Sequence, residues 1–136
     1  MGARTKARKR AVDVLYGADL REREIADAVV DEQRRAAQEP AREASWRYAR
    51  EVIEGVAAHR DELDELIALN AHGWTLDRMP VLDRAILRVG AWEILHNDEV
   101  PDAVAISEAV QLASELSTDD SGGFVNGVLS AIARSR

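Results

Sequence analysis

P-V-L-D-R-A-I-L-R-V-G-A-W-E-I-L, residues 80–95, is the stretch that decides the fold. Leu82, Ala85, Ile86 and Val89 recur at spacings of three and four, the period of an α-helix, while Val81, Trp92 and Leu95 widen the apolar surface beyond one stripe. A helix at the edge of a bundle needs one apolar face, so one with several is expected at the centre. Pro80 suits the first helical position, where its missing N–H would be unpaired anyway. Downstream, H-N-D-E-V-P-D (96–102) ends this helix, and Pro101 with Asp102 sets the next start. V-A-I-S-E-A-V-Q-L-A-S-E-L (104–116) then predicts a helix with Ile106, Ala109, Val110, Ala113 and Leu116 inward. S-T-D-D-S-G-G (117–123) reads as a loop before a last helix, F-V-N-G-V-L-S-A-I-A-R (124–134), that buries Val125, Val128, Leu129 and Ile132.

The same period continues upstream. Ala7, Ala11, Val14, Leu15 and Ala18 predict a first helix from about Arg4 to Leu20. A more polar second helix spans roughly Glu22 to Gln38, with Ile25, Ala28 and Val29 inward and Pro40 marking its end. Trp46, Ala49, Ile53 and Val56 define a third, capped near Ser45, and a fourth begins near Asp61 with Leu63, Leu66 and Ile67 on one face. Gly73 stops it, and Gly73 to Met79 is the corner where two halves of the fold meet. With three prolines and no alternating β-branched run, the chain reads as all-α, about seven helices, in a single domain 1–136.

With 136 residues, 46% of them hydrophobic, the chain can bury one real core, and the lack of cysteine excludes disulfides, thiolate metal sites and cysteine nucleophiles. No apolar run is long enough to span a bilayer, and the basic start is not followed by a signal-peptide apolar segment, so a soluble, cytoplasmic protein without a membrane partner is expected. The net charge of −7 argues against a nucleic-acid partner until its distribution is seen. Residues 1–10 hold Arg4, Lys6, Arg8, Lys9 and Arg10 and no acid; this tip carries +5 and the helical body 11–136 carries −12, which together make the −7. A short basic arm on an acidic body is the charge pattern of nucleic-acid binding or membrane-surface binding.

Enzyme chemistry finds no anchor. His59, His72 and His96 lie 13 and 24 residues apart without metal-ligand spacing, and there is no nucleophile elbow, P-loop or dinucleotide fingerprint. Acid pairs such as Glu62 with Asp64 and Glu65, or Asp119 with Asp120, read as solvated faces. No catalytic residue, metal or cofactor is expected. The basic tip is the better candidate: five cations near a helix N-terminus oppose the macrodipole, and a bound anion would relieve that conflict. A solvated, frayed terminus is the alternative. If all five neutralised phosphates of one strand, log K would fall with log salt at a slope of roughly −0.7 × 5, or about −3.5. The segment D-D-S-G-G-F-V-N-G (119–127) offers glycines before a helix and Phe124 as either a stacking face or a core anchor.

A-R-K-R-A-V-D-V-L-Y (7–16), L-D-R-A-I-L-R-V-G-A-W-E-I-L (82–95), V-P-D-A-V-A-I-S-E-A-V-Q-L-A (100–113) and G-F-V-N-G-V-L-S (123–130), in this order and spacing, resemble the NusB family of bacterial transcription antitermination factors. The resemblance implies two three-helix bundles packed roughly perpendicular, plus an extra helix. It further implies binding of the boxA element of ribosomal RNA leader transcripts together with NusE, a ribosomal protein, and action on the elongating RNA polymerase. RNA contacts would fall on Arg4, Lys6, Arg8, Lys9 and Arg10, and on Asp120 and Phe124. Members of the family occur as monomers and homodimers. Two competing expectations are a protein–protein interaction module and a detached NusB-like domain of a ribosomal RNA methyltransferase. The second is disfavoured because a chain ending at Arg136 is expected to lack room for a cofactor-binding domain.

Overall fold

The computed structural model describes residues 2–136, among which run seven α-helices and no strand: α1 (Ala3–Leu20), α2 (Ile25–Gln38), α3 (Pro40–Ala58), α4 (Arg60–Asn70), α5 (Val81–His96), α6 (Asp102–Leu116) and α7 (Ser121–Ser135). The multi-sided apolar segment occupies the centre. Every residue of α5 from Ala85 to Ile94 is buried, and the helix packs against α1, α3, α4, α6 and α7. Side chains as large as Ile86, Leu87 and Ile94 each contribute about 1.5–3 kcal/mol when removed from water. Two glycines set how closely neighbours approach: a Cβ on Gly55 of α3 would lie 2.2 Å from the Trp92 indole, and one on Gly90 would lie 2.6 Å from Leu129 Cδ1 of α7.

On one side of α5, α1 buries Ala7, Ala11, Val12, Leu15 and Ala18 against α3, while α2 lies across both with only Val29, Glu32 and Ala36 buried. On the other side, α6 and α7 pair and α4 closes against α5 and α7. Trp46, Ala49, Ile53 and Val56 of α3, and Leu63 and Ile67 of α4, are buried as their spacing predicts.

Several boundaries differ from the sequence expectation. The second helix starts at Ile25 rather than Glu22, because Glu22 takes a left-handed φ of 53° and the Arg23 N–H closes back on the Ala18 carbonyl at 2.8 Å. Pro40 begins α3 as well as ending α2: Glu39 is extended and Pro40 takes the first turn, where its absent N–H costs nothing. Ser45 therefore sits inside α3, buried, with its hydroxyl donating back to the Arg42 carbonyl at 3.2 Å. Pro80 is the N-cap of α5 and Val81 its first residue. The last helix starts at Ser121, three residues before Phe124, because the Ser121 hydroxyl accepts the Thr118 N–H at 3.2 Å and donates to Asp83 of α5 at 2.8 Å. Gly122 is accordingly a buried helical residue and not part of a loop. Leu116, expected inward, is 36% exposed at the last position of α6.

Candidate nucleic-acid interface

Helix α1 carries the basic tip, and its two sides treat the cations differently. Arg8 faces α5 and α6. It is 3% exposed, its Nε donates to both carboxylate oxygens of Glu93 at 2.9 and 3.0 Å, and one of its terminal nitrogens lies 3.3 Å from Glu108. Glu93 also accepts the Tyr48 hydroxyl, which in turn accepts Asn97 Nδ2 at 3.0 Å. Burial alone would loosen the Arg8 proton, but the hydrogen bond and charge of Glu93 outweigh it and hold the guanidinium's pKa raised. The same burial, followed by Glu93, pushes the Tyr48 phenol well above its usual range. Arg8, expected on the RNA-facing tip, is thus buried and paired with Glu93 and Glu108, because a buried charge must be paired.

Arg4 lies on the same side but remains accessible. Its guanidinium stacks over the Tyr48 ring, 4.4 Å from the centroid, and pairs with Glu99 at 3.0 Å. Thr5 donates to Glu108 at 2.7 Å. Three of the five cations, Arg4, Arg8 and Arg10, are therefore met by carboxylates of the body, which the local sequence does not reveal.

The opposite side of α1 opens on a groove of about 710 Å³ between α1, α2 and the start of α3. Its walls carry seven basic side chains, among them Lys6, Lys9, Arg10, Arg35 and Arg42, against three carboxylates, Asp13, Asp31 and Glu32. A cleft lined by an excess of one charge concentrates counter-ions of the other. Lys6 and Lys9 are exposed and, among the described residues, pair with no acid. Arg10 is half-buried, donating to the Arg42 carbonyl at 2.8 Å with Glu32 4.0 Å away. Glu32 is held by Arg35 at 3.2 Å and Arg42 at 3.3 Å. Desolvation, reinforced by Glu32 and opposed by Lys9 and Arg10, raises the pKa of Asp13.

Asp120 and Phe124 lie elsewhere, at the start of α7, and neither lines the groove. Asp120 is exposed at the N-cap. Phe124 is partly buried against the core and tilts against Trp74, ring centroids 6.2 Å apart at 58°. Trp74 is 50% exposed in the α4–α5 corner and belongs to no motif of the sequence. A tryptophan beside a helix-ending glycine, off any apolar stripe, was the available signal. The pair offers an accessible aromatic edge, so Phe124 is neither wholly core nor wholly free.

The comparisons with known proteins agree with this architecture. The NusB family matches residues 5–134. A transcription antitermination protein NusB from Leifsonia xyli is 62% identical over all of this chain and 94% of its own length. One from Clavibacter michiganensis is 63% identical over 98% of this chain and 97% of its own. Among solved structures, a NusB of T. maritima superposes with a TM-score of 0.85 at 29% identity, covering 98% of this chain and 92% of that one. A structure described as antitermination factors NusB and NusE in complex with dsRNA superposes with a TM-score of 0.82 at 27% identity, covering 98% of each chain. With nearly its whole length matched in sequence and in fold, the chain belongs to the NusB family.

Proposed function

We propose that this chain is a cytoplasmic, non-catalytic transcription antitermination factor that binds boxA-type RNA of ribosomal RNA leader transcripts together with NusE. The pair would present that RNA to the elongating RNA polymerase. The observation that carries the reading is the placement of Lys6 and Lys9, without acidic partners among the described residues, on the rim of a basic groove in a chain of net charge −7. The relative solved with NusE and dsRNA supports it, and no described helix is long and apolar enough to cross a membrane.

In this reading Lys6, Lys9 and Arg10, with Arg4 at the edge, hold phosphates, which position the strand without reading it. Phe124 and Trp74 supply a stacking surface for a splayed base, worth about 1–3 kcal/mol per base. Arg8 does not touch RNA; it fixes α1 against α5 and α6 so that its neighbours project outward. Catalysis has no part, because what the groove offers is charge and shape. Filter binding of boxA RNA against a scrambled RNA, with and without NusE, tests the proposal. Preference for boxA, strengthened by NusE, is expected; equal binding of both RNAs in both conditions rejects it.

A further inference from the structure

Three residues that do not line the groove meet elsewhere on the surface. His59 links α3 to α4, Glu62 lies in the first turn of α4, and His96 is the last residue of α5. The two imidazoles stack with centroids 3.8 Å apart and planes 15° from parallel. One carboxylate oxygen serves both: Glu62 Oε1 is 2.6 Å from His96 Nε2 and 3.9 Å from His59 Nδ1. One ligating atom from each of the three residues falls within 4.8 Å of the others.

We propose that His59, Glu62 and His96 form a binding site for a borderline divalent transition ion of the Zn2+ class. Tetrahedral coordination with bonds of about 2.0–2.1 Å places donor atoms roughly 3.3 Å apart. The two distances to Glu62 Oε1 fall on either side of that value, so closure requires only side-chain adjustment. The rings must also turn out of their stack, since their lone pairs lie in the ring planes and have to converge on one point. Their side chains are 41% and 27% exposed and Glu62 is 51% exposed, which leaves room for that rotation and for a water in the fourth position.

Leu63 and Ile67 anchor α4 in the core and Ile94 anchors the end of α5, so the three donors start from a fixed frame and little ordering is left for the ion to impose. Two imidazole nitrogens and one carboxylate oxygen select Zn2+, Ni2+ or Cu2+ over Mg2+ and Ca2+, which prefer all-oxygen sets. The bound ion would tie the α3–α4 junction to the end of α5. The competing account is a Glu62–His96 hydrogen bond with a stacked neighbour and no affinity for metal.

Calorimetric titration of the untagged full chain with Zn2+ separates the two, with histidine NMR signals followed in parallel. One ion per chain is expected, with the His59 and His96 resonances shifted and that of His72 unmoved. His59→Gln or His96→Gln should weaken binding about tenfold or more, and Glu62→Gln should weaken it by a smaller factor. His72→Gln should leave it unchanged, and Mg2+ should not compete. No stoichiometric Zn2+ binding, unchanged binding by the double variant His59→Gln, His96→Gln, or equal binding of Mg2+ would each overturn the assignment. Because the wild-type resonances report the ligands directly, the conclusion does not depend on the variants folding.

Discussion

Arg8 and Lys9 are adjacent in the sequence, carry the same charge and sit on the same helix, yet they face different worlds. Arg8 points into a largely buried network of Glu93, Tyr48, Asn97 and Glu108. Lys9 points into solvent on the groove. A 100° step round α1 separates a cation that holds the fold from one available to a ligand. A basic segment is therefore not one functional unit: the carboxylates that the rest of the chain brings up decide how many of its charges remain for a partner.

The largest expected break in that comparison comes from Arg8→Ala. It leaves Glu93, 1% exposed, as a buried carboxylate without its cation, a loss of about 3–5 kcal/mol. Lys9→Ala should change stability by less than about 0.5 kcal/mol. Denaturant unfolding of the two variants measures this, and equal midpoints would abolish the distinction between the sides.

Next in size is Tyr48→Phe, which removes a donor to Glu93 and an acceptor for Asn97, at about 1–3 kcal/mol. It also has a signature in pH. Desolvation, then Glu93, raises the folded phenol above its ordinary value of about 10. The folded chain thus keeps a proton that the unfolded chain loses. The associated stability is complete below about pH 10 and falls as pH rises beyond it. Unfolding midpoints measured from pH 8 to 11 should show a steeper alkaline decline in the wild type than in Tyr48→Phe; parallel curves would contradict the buried network.

The groove side is sharpened by Lys6→Ala with Lys9→Ala. RNA affinity should fall roughly tenfold, and the salt slope should shrink by about 1.4, two single-strand phosphates' worth, with stability unchanged. With Arg8 withdrawn from the five cations, the wild-type slope itself should approach about −2.8 rather than −3.5. A slope near −3.5 would return Arg8 to the RNA. The smallest effect belongs to Asp13→Asn, which removes a carboxylate from the groove beside Lys9 and Arg10. RNA affinity should rise roughly twofold at low salt and the gain should vanish at high salt; an affinity loss would mean Asp13 orders the cations instead.

Much of the fold was legible because helix formation leaves a local record. The stripes of α1, α3, α5 and α7 recur within a few residues, and the breadth of the α5 stripe announced its central place. What was missed depended on less regular signals. The sequence pattern starts the second helix three residues early because nothing in Arg21-Glu22-Arg23 marks the left-handed turn. Pro40 marks a stop in the sequence pattern, though it also starts α3. Ser121 reads as loop in the local sequence because its partner, Asp83, lies 38 residues away. At the candidate interface, the basic tip and Phe124 were visible as residue types, whereas Trp74 had no pattern to join.

By itself the sequence determined the helical class, the number of helices, the centrality of residues 81–96 and the concentration of positive charge in the first ten positions. It also carried the motifs of the family. Only the tertiary structure decided that Arg8 is paired while Lys6 and Lys9 project onto a groove, that Phe124 meets Trp74, and that His59, Glu62 and His96 converge. The reason is range. Helical periodicity is written every three or four residues, but the fate of a charge or ring is settled by neighbours within a few ångströms. For Arg8 those neighbours, Glu93 and Glu108, stand 85 and 100 positions along the chain.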